Sequence, residues 1–256
     1  MILKVEDLTF KYNSHATLEN VNFTVKKGEI TVILGPNGVG KTTLLKCINS
    51  ILSPLKGDIL IHGKSIRDMD TMTIAKKMSY VSQQSQAARI TAFDAILMGR
   101  RPHIRWRVSD NDIKMVDAAV KRLGLEHLAM KYTDQMSGGE LQKVSIARAL
   151  VQQTDLLLLD EPTSSLDMKN QIDILSLIKR VVKEHNIAAV MTMHDLNTAL
   201  RYADKYIFLK NGSIFGAGDV KEITSKMVES VYGIFVEILH HNGNPVIIPD
   251  DGLKAA

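Results

Sequence analysis

A single cysteine, Cys47, in a chain of 256 residues leaves no material for a disulfide framework, so stability has to come from a packed core and a reducing, cytoplasmic setting is expected. Long apolar runs are missing too. No uninterrupted stretch reaches the ~18 residues that a membrane helix needs, so any membrane spans would have to come from another chain. The first ten residues alternate apolar and polar, with acids at Glu6 and Asp7, in place of the basic start and apolar run of an export signal. Nor is charge of one sign gathered anywhere: 32 basic and 28 acidic residues are scattered to a net +4, and no tail or tract points to a nucleic-acid partner. Internal repeats and low-complexity segments are absent.

What is present is a chain with 45% hydrophobic residues, enough to bury a sizeable core in one compact domain with a subdomain. Alternation and turn residues predict strands over Ile2–Phe10, Val21–Val25 and Ile30–Leu34, then a glycine-rich turn and a helix from Lys41 to about Asn49. Short strands are expected at Ile59–His62 and Met78–Ser82. From about Ala87 to Gln153 the pattern turns helical, as in Ile113, Val116, Val120 and Leu123, opened by Ser109 with Asp112 and closed by Gly124. Two apolar runs, Leu156–Leu159 and Ala188–Met193, flank a helix expected over Met168–Lys183. Such runs suit strands covered on both faces, hence a parallel α/β sheet. A hairpin should turn at Asn211 and Gly212, and the chain should close with a helix from Val220 and two short strands around His241–Asn244.

The chemistry-bearing residues sit at the ends of these strands. Gly35-Pro36-Asn37-Gly38-Val39-Gly40-Lys41-Thr42 matches G-x-x-x-x-G-K-[ST] between a strand and a helix. In that setting backbone N–H groups close around phosphates and the helix N-terminus adds partial positive charge. Lys41 reaches the terminal phosphates, Thr42 takes a Mg²⁺ position, and Thr43 continues the ATP-binding run. Leu156–Leu159 ends in Asp160 and Glu161, two acids at the carboxyl edge where open α/β sheets bind ligands. Asp160 can hold Mg²⁺ through its water shell, and Glu161 can accept hydrogen bonds from an attacking water. Ser137-Gly138-Gly139-Glu140 is a capping box, yet it carries two consecutive glycines that a cap does not need and a backbone closing on phosphate does.

Taken in order, the P-loop, Met136–Glu140, Asp160-Glu161-Pro162, Ser164-Ser165-Leu166-Asp167 and His194 resemble the ABC ATPase family over most of the chain. Met136 and Glu140 stand where the commonest signature has leucine and glutamine. The resemblance implies a P-loop NTPase of RecA-like kind: a mainly parallel sheet core with an N-terminal antiparallel β part and an inserted α-helical subdomain. Its parts would be a catalytic core of residues 1–86 and 154–218, a helical signature subdomain of 87–153 and a C-terminal extension of 219–256. It implies ATP and Mg²⁺ as ligands and a head-to-tail homodimer in the ATP-bound state. In that dimer Ser137, Gly138, Gly139 and Glu140 of one chain meet the ATP held at Lys41 of the other. By the same likeness His194 contacts the γ-phosphate, Gln83 senses Mg²⁺ and water with Gln84 beside it as the alternative, Asp167 belongs to the ATP site, and Tyr12 stacks on adenine with Phe10 in competition.

Within the family the chain resembles the subunits of importers for iron chelates, haem and cobalamin. The stretch Ala95–His103 looks like those subunits' segment where a permease's coupling helix docks, and Val231–Glu237 with Pro245–Pro249 resembles their closing strands. That likeness implies a protein peripheral on the inner face of the membrane, bound to permease subunits and served indirectly by an extracytoplasmic binding protein. The runner-up is a soluble ABC ATPase of iron–sulfur cluster assembly, or an importer subunit for zinc or another metal.

Overall fold

In the computed structural model, residues 1–12, 15–83, 87–164, 166–241 and 244–250 are described. Gln84 and Ser165 lie outside them. The N-terminal third builds strands β1 (Leu3–Tyr12), β2 (His15–Val25) and β3 (Ile30–Leu34), helix α1 (Lys41–Ile48), strands β4 (Lys56–Ile61) and β5 (Lys64–Ser65), helix α2 (Thr71–Lys77) and strand β6 (Met78–Val81). Helices α3 (Ala92–Leu97), α4 (Asp110–Arg122) and α5 (Gly138–Val151) follow, then β7 (Leu156–Asp160), α6 (Met168–Glu184), β8 (Ala188–Thr192) and α7 (Leu196–Tyr202). The hairpin β9 (Lys205–Lys210) and β10 (Ser213–Asp219), helix α8 (Ser225–Tyr232) and the hairpin β11 (Val236–His241) and β12 (Asn244–Pro249) complete the chain.

The expected strands are found, several of them longer than the sequence pattern suggested. β2 begins at His15 and not at Val21, because the polar Glu19, Asn20 and Asn22 of this edge strand hide its alternation. The closing segment is one 3-10 turn at Val220–Glu222 and then α8, rather than a helix running from Val220. At the β9–β10 turn, Asn211 (φ +49°) and Gly212 (φ +77°) both occupy the left-handed region that a two-residue hairpin requires.

The larger sheet has the order β10-β9-β3-β8-β7-β6, parallel from β9 to β6 with β10 antiparallel at the edge. β3, β7 and β8 are buried at every position, as their unbroken apolar runs imply. Alternate residues feed two cores. Val32, Leu157, Leu159 and Met191 pack under α6, α7 and α8, while Ile33, Leu156, Leu158 and Val190 pack with α1 and the antiparallel sheet β2-β1-β4-β5. Cys47 is fully enclosed in that second core, and burial pushes its thiol up to about 12. A third core, around Ile96, Val116, Val144 and Ala147, joins α3, α4 and α5. The Ser109–Asp112 capping box that opens α4 is present in both directions.

Candidate active site

The loop between β3 and α1 is bent by glycines held at positive φ. Gly35 has φ +150°, and a Cβ built on it would lie 2.4 Å from the Leu209 carbonyl oxygen. Gly38 has φ +77° and nothing within 4 Å of such a Cβ, so its constraint is conformational and its flank is open to a ligand. Helix α1 starts at Lys41 with no side-chain cap on its first amides, which leaves those donors for an anion. The Lys41 ammonium curls back over the loop, donating to the carbonyls of Gly35 (2.8 Å) and Pro36 (3.1 Å). Burial lowers its pKa, while the nearby Glu161 and Asp160 carboxylates pull it back up. Thr43 is buried on α1 beside it, Val39 packs onto the second core, and Asn37 is exposed.

Sheet order brings the acids to this loop. β8 lies between β3 and β7, and its last residue, Thr192, is in register with Ile33 on one side and Asp160 on the other. Asp160 is 1% exposed and receives three hydroxyl donors: Thr42 (3.0 Å) and Thr192 (2.7 Å) on Oδ1, and Tyr80 (3.3 Å) on Oδ2. Glu161 follows in the left-handed region (φ +48°), an uncommon conformation for a side chain with a Cβ, and its N–H donates to the Thr192 hydroxyl at 2.9 Å. The buried Glu161 carboxylate is held on both sides. Gln83 Nε2 donates to Oε2, and His194 Nε2 lies 2.5 Å from Oε1. A recess of about 100 Å³ opens beside Glu161, Ser164 and His194.

Lys41, Thr42, Asp160, Glu161, Gln83 and His194 are therefore gathered at one sheet edge, although 153 positions separate the first from the last in the chain (194 − 41). The Ser137 turn is not part of that gathering. Ser137 and Gly138 are exposed at the start of α5, and the capping bonds between Ser137 and Glu140 (3.3 and 2.8 Å) stay within the turn, with Lys131 on Glu140 at 3.2 Å. Asp167 caps α6 through the Asn170 N–H at 2.8 Å. Of the two candidate rings, Phe10 is 7% exposed and packed, whereas Tyr12 is 47% exposed and stands edge-on to it at 4.8 Å. Tyr12 is the ring available to a ligand. Sequence reasoning passed over Thr192 and Tyr80; the only signal was a hydroxyl residue at the end of an otherwise apolar strand, which acquires meaning once the register sets it against Asp160.

A larger cavity of about 410 Å³ lies between α4, α5, α6 and β7, lined mostly by apolar residues such as Met115, Leu150, Leu157 and Val181. Its charged lining groups are engaged elsewhere, Arg122 with Glu184 and Asp155 with Lys27 and His62, so the chemistry does not belong there.

The phosphate cradle, its lysine and the acids at the edge of a parallel sheet define a nucleotide-binding P-loop ATPase. The family description "ABC transporter" matches residues 18–164, and the chain belongs to that family, whose activity is ATP hydrolysis coupled to transport. An uncharacterised ABC transporter ATP-binding protein of Methanocaldococcus jannaschii is 50% identical over 97% of this chain and 98% of its own length. The ferric enterobactin transport ATP-binding protein FepC of Escherichia coli is 35% identical over 96% and 93%, and the petrobactin import ATP-binding protein YclP of Bacillus subtilis 36% over 93% and 95%. Among solved structures, one described as the inward-facing conformation of a metal-chelate type ABC transporter aligns with TM-score 0.82 at 30% identity, covering 97% of both chains. A dimeric ATP-binding cassette bound to ADP and phosphate aligns with TM-score 0.79 at 30% identity, covering 87% of this chain and all of its own.

Proposed function

We propose that this chain is the ATP-hydrolysing subunit of an importer for an iron chelate or a related haem- or cobalamin-type cargo. It would work on the cytoplasmic face of the membrane with a separate permease and, through that permease, an extracytoplasmic binding protein. The observation that carries the ATPase half is the Glu161 carboxylate, buried and braced by Gln83 and His194 within the same cluster as Lys41 and Asp160. The importer half is supported by relatives named for petrobactin import and ferric enterobactin transport. In this reading residues 1–86 and 154–218 are the catalytic core, 87–153 the signature subdomain and 219–256 an extension.

The donors at the metal position are a hydroxyl, a carboxylate and an amide carbonyl, from Thr42, Asp160 and Gln83. Such an all-oxygen set fits Mg²⁺, which completes its shell with water and phosphate oxygens. When bound it supplies positive charge against the phosphate oxygens. The chain's own residues do the rest. The α1 amides and Lys41 cradle the β- and γ-phosphates, the Tyr12 ring carries adenine, and Asp167 lines the site. Glu161 accepts a hydrogen bond from the water and aims it in line at the γ-phosphorus, while His194 and Gln83 fix the carboxylate and the phosphate relative to one another. Ser137 and Gly138 are exposed at the start of α5, so in this reading the Ser137–Glu140 turn meets the nucleotide of a second copy, and hydrolysis needs the closed dimer.

Glu161→Gln keeps the shape and removes the charge. Phosphate release should fall at least about a hundredfold while MgATP binding persists. Retention of turnover would reject Glu161 as the base. Co-purification with a multi-span membrane protein, and stimulation of chelate uptake in vesicles by the pair, tests the importer half separately.

A further inference from the structure

Between Asp94 and Asp110 the chain runs fifteen residues, 95–109, with four arginines, one histidine and no acid. Two of those groups are spent holding the segment down. Arg100 is 4% exposed and donates to Asp112 (2.8 Å), the Val151 carbonyl (2.7 Å) and Gln153 (3.0 Å), while the His103 ring meets the Gln152 carbonyl at 2.9 Å. Gly99 lies so close to α5 that a Cβ would sit 2.1 Å from the Arg148 carbonyl oxygen. At the far end, Ser109 closes the capping box of α4 with Asp112. The base of this loop is therefore rigid and its tip is displayed.

On the tip, Arg101, Arg105 and Arg107 are exposed, and none of their guanidinium groups has a hydrogen-bond or ion-pair partner among the described residues. Trp106 stands between the last two with 97% of its surface exposed; Val108 and Met98 are exposed nearby at 40% and 59%. An indole fully in water is costly to keep, and neither packing, a ring contact nor the nucleotide site accounts for this one. A tryptophan flanked by arginines suits the headgroup layer of a bilayer, where the ring lies at the boundary and the guanidinium groups meet lipid phosphates. RNA would call for a broader basic face than this short tip on a chain of net charge +4.

We propose that the tip around Trp106 is a direct docking point on anionic phospholipid, with Trp106 entering the headgroup layer beside the Ala95–His103 segment that the resemblance gives to the permease, and independent of the catalytic reading. The chain holds one tryptophan, so its intrinsic fluorescence reports on this tip alone. Full-length protein titrated with phosphatidylglycerol/phosphatidylcholine vesicles should co-sediment, and its emission should move to shorter wavelength. Phosphatidylcholine vesicles alone should do neither, and 1 M salt should reverse both effects. Replacing Arg101, Arg105 and Arg107 with glutamine should weaken vesicle binding by about fivefold each, or about a hundredfold together, at unchanged ATP affinity. Trp106→Ala should lower co-sedimentation as well. Lack of binding to anionic vesicles overturns the proposal, as does equal binding to neutral ones. So does an emission shift given by soluble glycerophosphate, RNA or an acidic peptide in place of the bilayer.

Discussion

Thr192 does more for the site than its small side chain suggests. Its buried hydroxyl donates a hydrogen bond to Asp160 and accepts one from the Glu161 N–H, so one group orients a carboxylate and pins a backbone in the left-handed region. Thr192→Val has the same shape without the hydroxyl, leaving a buried amide and a carboxylate oxygen each short of a partner. Unfolding in urea should show a loss of about 1–3 kcal/mol, and the Mg²⁺ concentration needed for ATP turnover should rise. Lys41 sits under opposing influences, with burial lowering its pKa and two carboxylates raising it. Lys41→Met should therefore leave the fold standing and abolish ATP binding in a fluorescent-nucleotide titration.

Helix α5 has two purposes in the proposed reading. Its capping box stabilises the helix whether or not nucleotide is near, so Ser137→Ala should cost about 1 kcal/mol in chemical denaturation, the usual worth of a cap. A larger loss of turnover than that stability change explains would mark the hydroxyl as a ligand of the sister site. Helix α4 and the preceding turn are held by a buried pair. Hydrogen bonds from Ser109, then from Arg100, lower the Asp112 carboxyl to about 2. A depressed carboxylate pKa contributes stability above its unfolded value and loses it as pH falls through the folded one. Unfolding free energy should thus drop between pH ~4 and ~2, and Asp112→Asn should flatten that part of the curve.

At the scale of the whole molecule, the proposed site draws on two copies of the chain. One cluster holds Lys41, Asp160 and Glu161, and the Ser137 turn exposes Ser137 and Gly138 elsewhere. If two copies close head to tail, a Lys41→Ala chain and a Ser137→Arg chain are each inactive alone but rebuild one intact site in their mixed dimer. Random pairing makes half the dimers mixed with one working site of two, so mixing should restore about a quarter of wild-type phosphate release. No recovery would indicate that each chain hydrolyses by itself. No helix among the described residues is long and apolar enough to cross a membrane.

Local chemistry was legible in the chain alone. The phosphate loop, the acids ending an apolar strand, and the caps of α4 and α5 all depend on neighbours within a few residues, and such patterns survive in one dimension. Strand order and register do not. That Thr192 lies opposite Asp160, that Tyr80 reaches the same carboxylate, that Gln83 and His194 clasp Glu161, and that Phe10 is packed while Tyr12 is free were all decided by tertiary structure. The physical reason is that side chains tens of residues apart meet only after the strands have paired, and pairing is selected by the burial of two cores at once rather than by any segment's own preference.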